Sequence, residues 1–505
     1  MSVSCVHTAQ GTVQGGIPVV IEADLTRGLH SFSIVGLPGK AIEESKDRVS
    51  GAIKNSGFPS PKSKNHKITI SLSPADVKKE GPLFDLPIAI AYLLSAEEIK
   101  EDGVKRMYVG ELGLDGSLRR VNGVLPVILT AKKEGFTEVV VPKENATEAS
   151  LVEGIAIYGA SSLEEVVRHV DTNRENHKKL VLQEITVIES IWEDGQVRLE
   201  DIKGQESAKR GLLIAAAGRH NVIMVGPPGT GKTMLARAFQ SLLPPLTREE
   251  ALEVTSIHSV AGRLESHITS RPPFRAPHHT ASYTALVGGG THPKPGEVTL
   301  AHKGVLFCDE FPEFDRRSID ALRQPLEDRV VSISRVQGTA LFPADFILVA
   351  AMNPYRGSED GTTNYASAMR DTYKGKISGP ILDRIDLWLE VSHVDYDTLA
   401  LLQTDQDQTE RAREQIQNAR ELQNTRLQNR GVTTNAEMSA RDLEETVFIT
   451  DEIKTILKQS AEKLNLSPRG YHRLIKVSRT IADLDGKQTI EPSHVYEALQ
   501  YRVKM

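Results

Sequence analysis

A glycine-rich loop that follows a short apolar run constrains the fold of this chain more than any other feature. The apolar run is Val222–Val225. The loop residues are Gly226, Pro227, Pro228, Gly229, Thr230, Gly231, Lys232 and Thr233. Small residues let backbone N–H groups close around phosphates, the lysine reaches the terminal phosphates, and the threonine hydroxyl binds Mg²⁺. The segment therefore predicts a strand, a loop for a nucleoside triphosphate and a helix, in that order.

Two further apolar runs end in side chains that suit nucleotide hydrolysis. Residues 304–308 lead into Asp309 and Glu310, and residues 346–352 lead into Asn353. A buried strand that ends in this way delivers Asp309 to Mg²⁺ and Glu310 to the attacking water. The amide of Asn353 then holds that water against the γ-phosphate. Without the loop, an asparagine at a strand end is equally typical of a turn.

Two arginine-containing segments are candidates for further contacts with the phosphates. Arg384 lies between Asp383 and Asp386 after a turn signal, and Arg469 opens a predicted helix. Arg384 suits an arginine finger that reaches the nucleotide of a neighbouring subunit. A surface ion pair is the alternative for Arg384, since such pairs are common. Arg473 is the second candidate for the role of Arg469.

Several long motifs resemble those of the magnesium-chelatase-like AAA+ ATPases, and most closely the ComM/YifB family. Besides the loop, these motifs are the segments 271–280, 288–297, 326–335 and 379–386. The resemblance extends over nearly the full length of the chain. It implies that Asn353 is sensor 1, that Arg384 is the finger acting in trans, and that Arg469 is sensor 2.

The same resemblance implies what such a chain does. It implies an ATP- and Mg²⁺-dependent motor that forms homo-hexameric rings and acts on DNA. We therefore expect a branch-migration helicase that remodels recombination intermediates during uptake of transforming DNA. The alternative is a magnesium-chelatase-type motor that remodels a protein or metal-insertion partner, although such chains generally lack an N-terminal protease-like domain. A scaffold without hydrolysis is disfavoured by Asp309, Glu310 and Asn353.

Residues 1–170 alternate short β-rich runs with helical stretches, which indicates an α/β domain. The pattern resembles the Lon protease domain. In the active protease a nucleophilic serine follows a Gly-Pro pair and a lysine lies further along, but these positions here hold Leu83 and Leu125. Because losing both groups removes nucleophile and base together, we expect a protease fold without peptidase activity. The disfavoured substitutes are Ser71, Ser73, Lys78 and Lys79.

The predicted fold class is α/β, in four segments. They are a Lon-protease-like α+β domain at 1–170, a linker at 171–200, an AAA+ P-loop α/β core at 201–395 and a C-terminal helical lid at 396–505. The alternation of strands and helices predicts a parallel sheet in the core, with helices on both faces. A lid that carries Arg469 is able to sense nucleotide and move against the core.

Two hairpins are predicted within the core. A turn-rich insert at residues 278–296 predicts a protruding hairpin, which the family resemblance places at the pore of a ring. A second hairpin at residues 330–342 carries Arg335 near its turn. Arg335 is our candidate for a pore contact with DNA phosphates. A structural hairpin with a solvated arginine is the alternative.

Composition limits the remaining possibilities. The 505 residues suggest about three domains, and a net charge of −6 does not support a globally basic nucleic-acid coat. Two cysteines form no disulfide framework, and the sequence contains no apolar run long enough for a membrane span. We therefore expect a cytoplasmic protein with no membrane partner. We expect no structural zinc, because His278 and His279 are adjacent and the segment 355–364 has no cysteine.

Overall fold

The computed structural model describes residues 3–63, 65–174, 177–193, 195–264, 270–290, 294–335, 338–353, 377–394 and 406–502. For residues 334, 335, 338 and 339 it describes the backbone alone. Backbone contacts divide the chain into two compact units. The first contains residues 1–189 and 251–269, and the second contains residues 190–250 and 270–505.

The first unit is built on a large mixed sheet. Its described strands are β1 (Ser4–Thr12), β2 (Gly15–Arg27), β3 (Ser31–Val35), β4 (His66–Ser73), β5 (Arg106–Tyr108), β6 (Glu111–Leu112), β7 (Leu118–Arg119), β8 (Glu138–Pro142) and β9 (Ala156–Ala160). Seven of these form one sheet in the order β3-β4-β2-β1-β5-β8-β9. The pairs β1–β2 and β2–β4 are antiparallel, whereas β5, β8 and β9 pair in parallel. Alternate residues of β2 are buried, as expected for a strand with one face on the core.

Helices cover this sheet. They are α1 (Lys40–Asn55), α2 (Asp85–Ser95), α3 (Val124–Lys133), α4 (Ala146–Ala149) and α5 (Leu163–Val170). Nearly all residues of α2 are buried, because its sequence is apolar on every side. The helical stretches predicted between the β-rich runs of residues 1–170 include these three longest helices, α1, α2 and α3.

One helix of the first unit comes from a distant part of the sequence. This helix, α8 (Arg248–Val260), lies within the predicted ATPase core, yet residues 251–269 belong to the first unit. The Ser259 hydroxyl donates to the Glu148 carboxylate and accepts from the Gly123 N–H at 3.0 Å. Leu252 packs against the apolar core of the same unit. The structure therefore differs here from the division predicted from the sequence, because packing rather than chain order assigns this helix.

The second unit is built on a parallel sheet. Its described strands are β10 (Val222–Val225), β11 (Phe274–Arg275), β12 (Gly288–Gly289), β13 (Lys294–Pro295), β14 (Val305–Cys308), β15 (Val330–Arg335), β16 (Gly338–Pro343), β17 (Ile347–Met352) and β18 (Leu387–Glu390). Five of these form the sheet in the order β11-β14-β17-β10-β18, with every pair parallel. Every residue of β10, β14 and β17 is buried, as is typical of parallel strands with both faces covered.

Helices make up most of the rest of this unit. Those described are α6 (Glu206–Gly218), α7 (Lys232–Ser241), α9 (Tyr283–Val287), α10 (Glu297–Leu300), α11 (Arg316–Ala321), α12 (Arg323–Asp328), α13 (Gly379–Leu382), α14 (Gln408–Arg426), α15 (Ala440–Thr446), α16 (Asp451–Lys463), α17 (Pro468–Leu484) and α18 (Pro492–Gln500). Ile416 and Leu474 lie in the same apolar core as Val222, so one core joins the C-terminal helices to the sheet. The Ser467 hydroxyl caps α17 by accepting from the Gly470 N–H at 3.1 Å.

Two short hairpins lie between helices of the second unit, one between α9 and α10 and the other after α12. In the insert, β12 and β13 form a two-residue antiparallel ladder, and residues 291–293 lie outside the described residues. β15 and β16 pair antiparallel from Val330–Pro343 to Arg335–Gly338. The second predicted hairpin is therefore confirmed.

Candidate active site

The loop between β10 and α7 leaves open space beside the backbone of two of its glycines. Gly229 and Gly231 have φ angles of 79° and 90°, in the left-handed region that favours glycine. A Cβ atom at either position would meet nothing within 4 Å. At Gly226 a Cβ would lie 2.0 Å from the Val391 carbonyl oxygen, so a side chain is excluded there. Among the described side chains none caps α7, which leaves its first N–H groups for an anion.

Lys232, the first residue of α7, is buried in this loop. Its Nζ atom donates to the carbonyl oxygens of Gly226 at 2.7 Å and Pro227 at 2.8 Å, and to Asn353 Oδ1 at 2.9 Å. Burial lowers the pKa of the Lys232 ammonium, and the Asp309 carboxylate opposes that shift. All three acceptors are neutral oxygens. Because an anion stabilises a buried ammonium better than neutral oxygens do, the phosphates of a nucleotide fit this site.

Thr233 and Asp309 meet beside this lysine. The Thr233 hydroxyl donates to Asp309 Oδ2 at 3.0 Å, and the Glu310 N–H donates to Asp309 Oδ1 at 2.9 Å. Hydroxyl and carboxylate oxygens are the ligands that Mg²⁺ prefers. The pair therefore fits the Mg²⁺ that accompanies ATP, whose chemistry is to neutralise charge on the phosphates.

Glu310 and Asn353 lie at the same edge of the sheet. Their strands, β14 and β17, are neighbours, and β17 in turn pairs with β10, which leads into the loop. Because the carboxyl ends of parallel strands meet at one edge, all three segments converge there. Glu310 has a φ of 48°, which costs a non-glycine residue roughly 1–2 kcal/mol. Its side chain is half exposed, as access to a water molecule requires.

His279 also contacts this group, and the sequence did not identify it as a functional residue. Its Nδ1 atom lies 3.1 Å from Glu310 Oε2. His279 follows β11, which is the neighbour of β14 in the sheet. Its place within the motif at residues 271–280 was a signal in the sequence that could have identified it. The contact restricts where the Glu310 carboxylate lies.

We expect His279→Ala to lower the kcat of ATP hydrolysis roughly twofold to fivefold, the effect of losing one partly exposed contact with a carboxylate, about 0.5–1 kcal/mol. KM for ATP should change little, because no contact with the phosphate loop is lost. Steady-state kinetics would measure both constants. His279→Gln, which retains a hydrogen-bond donor, should recover part of the loss, and an unchanged kcat in His279→Ala would contradict the positioning role.

The structure places Arg384 and Arg469 together on a third residue, Glu327 of α12. Arg384 Nη2 donates to Glu327 Oε2, and Arg469 Nη2 donates to Glu327 Oε1 at 2.6 Å. Arg384 is only 7% exposed. Arg473 lies 3.3 Å from Asp386 instead. The sequence assigned separate roles to Arg384 and Arg469 and did not identify the carboxylate between them.

The base of the β15–β16 hairpin is held by buried charges. Asp345, just after β16, accepts from Arg219 at 3.0 Å and from Lys303 at 2.8 Å. Burial alone would raise the pKa of Asp345, but the surrounding cations hold it well below its usual range. Arg329, just before β15, donates to Glu437 at 2.6 Å. The side chain of Arg335 lies outside the described residues, so its predicted pore contact stays a prediction.

The first unit places Leu83 and Leu125 in its core. Lys79 is buried as well, and its ammonium donates to the carbonyl oxygens of Gly36 at 3.2 Å, Leu72 at 3.1 Å and Pro74. These three bonds use all three protons of the ammonium. Lys79 is therefore a structural residue and not a base for the nearby strand-end serines.

Within the described ranges, no group of three or more histidine, cysteine, aspartate or glutamate side chains has an arrangement that holds a metal ion. The segment 355–364, on which the prediction of no zinc partly rests, lies outside the described residues. Within the same ranges no helix is long and apolar enough to cross a membrane.

Comparison with known proteins agrees with the geometry of the loop. The model of the family "Magnesium chelatase, subunit ChlI" matches residues 198–399. Two companion models, for subunit ChlI and for its C-terminal region, match residues 21–145 and 406–502. Together the three matches include most of both units.

Full-length relatives are also found. The chain is 45% identical to the competence protein ComM of Haemophilus influenzae over 491 residues, which is 96% of this chain and 94% of the relative. It is 40% identical to the YifB protein of Escherichia coli over 510 residues, 99% of this chain and 97% of the relative. A shorter match is to the DNA repair protein RadA of Streptococcus pneumoniae, which is 38% identical over 98 residues. This match covers 19% of this chain and 23% of RadA. The chain belongs to the magnesium-chelatase-like AAA+ proteins of the ComM/YifB family.

Proposed function

We propose that this protein is a Mg²⁺- and ATP-dependent motor that assembles as a homo-hexameric ring and moves branch points in DNA. The observation that carries the ATPase part is the meeting of Lys232, Thr233, Asp309 and Asn353 at one edge of the parallel sheet. Such a site fits phosphates and a divalent cation at once. The remaining parts of the proposal rest on the relatives and on the placement of the arginines.

In the proposed reaction, water attacks the γ-phosphate and ADP and phosphate are released. Glu310 orients and activates that water, and Asn353 holds it. Lys232 and the N–H groups of α7 bind the phosphates in both ground state and transition state. Arg384 neutralises charge on the nucleotide of the neighbouring subunit, which makes hydrolysis depend on the ring. Arg469, on a C-terminal helix, links the state of the nucleotide to motion of the lid.

DNA is proposed as the substrate for reasons outside the nucleotide site. ComM is named a competence protein and RadA a DNA repair protein, and both are relatives of this chain. A net charge of −6 does not support a globally basic nucleic-acid coat, so the proposal requires positive charge concentrated locally. The β15–β16 hairpin with Arg335 is the proposed pore contact. The cytoplasm is the proposed compartment, where DNA and ATP are both present.

A motor that remodels a protein or metal-insertion partner is the second candidate. The matched family model is named after a magnesium chelatase subunit. That name supports this alternative as much as it supports an ATPase core. The two candidates differ in their response to DNA. A chelatase-type motor has no reason to hydrolyse ATP faster when DNA is added.

ATP hydrolysis measured with and without single-stranded and four-way-junction DNA tests the proposal. We expect stimulation by DNA, binding that is largely independent of sequence, and steep weakening of binding as salt rises, because phosphate contacts release counterions. A synthetic junction should change its branch point only with hydrolysable ATP. Absence of DNA binding at low salt, with the ring assembled and ATP present, would support the chelatase-type motor instead.

The variant Arg335→Ala tests, in the same assays, whether the β15–β16 hairpin contacts DNA. Affinity for DNA and DNA-stimulated hydrolysis should fall, while basal ATP binding is retained because Arg335 is remote in sequence from the nucleotide loop. Loss of one phosphate contact reduces the slope of log affinity against log salt by about one. Arg441→Ala, at an exposed arginine of α15 that pairs with Glu445 at 2.7 Å, is the matched control and should behave as the unmodified protein. Equal effects of both variants would remove Arg335 from the pore contact.

A further inference from the structure

Two arginines bind the single carboxylate of Glu327, and two more lie near one of them, Arg384. Each carboxylate oxygen takes one guanidinium, Oε2 from Arg384 and Oε1 from Arg469. Arg473 and Arg323 are close enough to act on Arg384. Burial lowers the pKa of Arg384 most, and the charges of Arg469, Arg473 and Arg323 lower it further. Four like charges at one place require an anion among them.

Glu327 does not provide a hydrogen-bond acceptor for every N–H donor of these arginines. Two buried N–H groups have no hydrogen-bond partner among the described residues: Arg384 Nε and Arg323 Nε. The other nearby carboxylates are already paired, Asp320 with Arg323 at 2.6 Å and Asp386 with Arg473 at 3.3 Å. Buried donors in proteins are almost always satisfied. Unpaired donors around a filled carboxylate therefore indicate a place for an anion with more acceptor oxygens than a carboxylate has.

The contact between Glu327 and Arg469 is suited to being exchanged. The Arg469 side chain is 57% exposed and that of Glu327 is 44% exposed. An ion pair with this much exposure contributes little to stability, so it opens at small cost. Arg384 is buried and keeps its place when Glu327 leaves, because its Nη1 also donates to the Pro380 carbonyl oxygen at 2.6 Å. The arginines thus remain as a prepared site after the carboxylate has moved.

We propose that Glu327 is an internal substitute for the terminal phosphate of ATP, and that its carboxylate holds Arg384 and Arg469 together until a phosphate displaces it. This inference rests on the proposed function, because it assigns a phosphate of the hydrolysed nucleotide as the displacing anion. A phosphate carries three outward oxygens and about two charges, so it satisfies donors that Glu327 leaves unpaired. Glu327 is a positioning residue in this scheme: it acts through the arginines and not on the reacting atoms.

Glu327→Gln removes the charge and keeps the size of the side chain. With the competing carboxylate gone, we expect KM for ATP to fall roughly threefold to tenfold and kcat to stay within about twofold, since the transition-state contacts are unchanged. Asp328→Asn, at the adjacent exposed acid of the same helix, makes the same change in charge and should leave both constants unchanged. In an Arg469→Ala background the effect of Glu327→Gln on KM should shrink. A raised KM together with a reduced kcat would overturn the proposal.

A second measurement does not depend on hydrolysis. Phenylglyoxal modifies guanidinium groups, and peptide mass spectrometry measures the extent at each arginine in nucleotide-free protein. We expect Arg469 to be modified several times faster in Glu327→Gln, because a guanidinium released from a carboxylate is more reactive. Arg441, paired with Glu445, should react at the same rate in both proteins. An unchanged rate at Arg469 would overturn the pairing.

The two measurements separate this inference from the proposed function. If the unmodified protein hydrolyses no ATP, the proposed function fails, while the labelling result still decides whether Glu327 holds Arg469. Thermal unfolding of each variant shows whether its fold is intact. Should Glu327→Gln fail to fold, Glu327→Asp keeps the charge but withdraws it from the arginines, and the same rise in labelling of Arg469 is expected.

Discussion

Glu310→Gln should bind ATP normally and hydrolyse it about 10²- to 10⁴-fold more slowly than the unmodified protein, the usual contribution of a group that moves a proton in the transition state. The physical reason is the separation of roles at the sheet edge. Among the described contacts Glu310 has no hydrogen bond to the phosphate loop, whereas Lys232 lies within that loop. Steady-state kinetics together with binding of a fluorescent ATP analogue would measure hydrolysis and binding separately.

Lys232→Ala is the matched comparison for this variant. It should weaken ATP binding about tenfold to a hundredfold, because it removes a buried charge that bonds to the phosphates. The buried Lys232 ammonium also holds Gly226, Pro227 and Asn353, so thermal unfolding must be checked alongside. Near-normal turnover in both variants would show that the loop and strand β14 do not form the site of hydrolysis.

Arg384→Ala should reduce hydrolysis about 10³-fold or more, as expected for an arginine that stabilises charge on the transferred phosphate. If it acts across an interface, a mixture of Arg384→Ala and Lys232→Ala subunits recovers activity that neither has alone. In a ring assembled at random from equal amounts, about a quarter of the interfaces combine an intact Lys232 with an intact Arg384. We therefore expect recovery to roughly that fraction of normal turnover.

A second mixture is the control for this experiment. Lys232 and Glu310 belong to the same nucleotide site of one subunit, so mixing Lys232→Ala with Glu310→Gln creates no intact site at any interface. That mixture should stay inactive. Recovery in both mixtures would indicate exchange of material or contamination and not shared sites. Full activity of the unmodified protein as a monomer at high dilution would exclude action in trans.

The nucleotide loop and its partners were predictable from the sequence because each is a local pattern. Val222–Val225 is followed by the loop and a helix, and the structure places β10 and α7 there. Asp309 and Asn353 follow apolar runs that become parallel strands of the same sheet. Parallel strands expose their carboxyl ends at one edge, so position along the chain predicts proximity in space. The contacts of Thr233 with Asp309 and of Lys232 with Asn353 follow from this rule.

The partners of the remaining charged groups were not predictable in this way. His279 contacts Glu310 across a gap of about thirty residues, and its strand β11 is only two residues long, too short for a reliable pattern. Arg469 and Glu327 lie on helices far apart in sequence. A side chain near the start of a helix reaches whatever the packing of that helix places beside it. No local signal in the sequence specifies that neighbour.

The sequence by itself therefore determined the residues of the candidate nucleotide site and the family of the chain, since loop geometry and parallel strand order follow from short motifs. Only the tertiary structure decided which elements belong together. Residues 251–269 follow helix α7 in the chain, yet they belong to the first unit, where Ser259 bonds to Glu148. The tertiary structure also brings Arg384 and Arg469 to one carboxylate, that of Glu327. Contacts of this kind depend on how whole helices pack, and packing is a property of the folded chain and not of any segment within it.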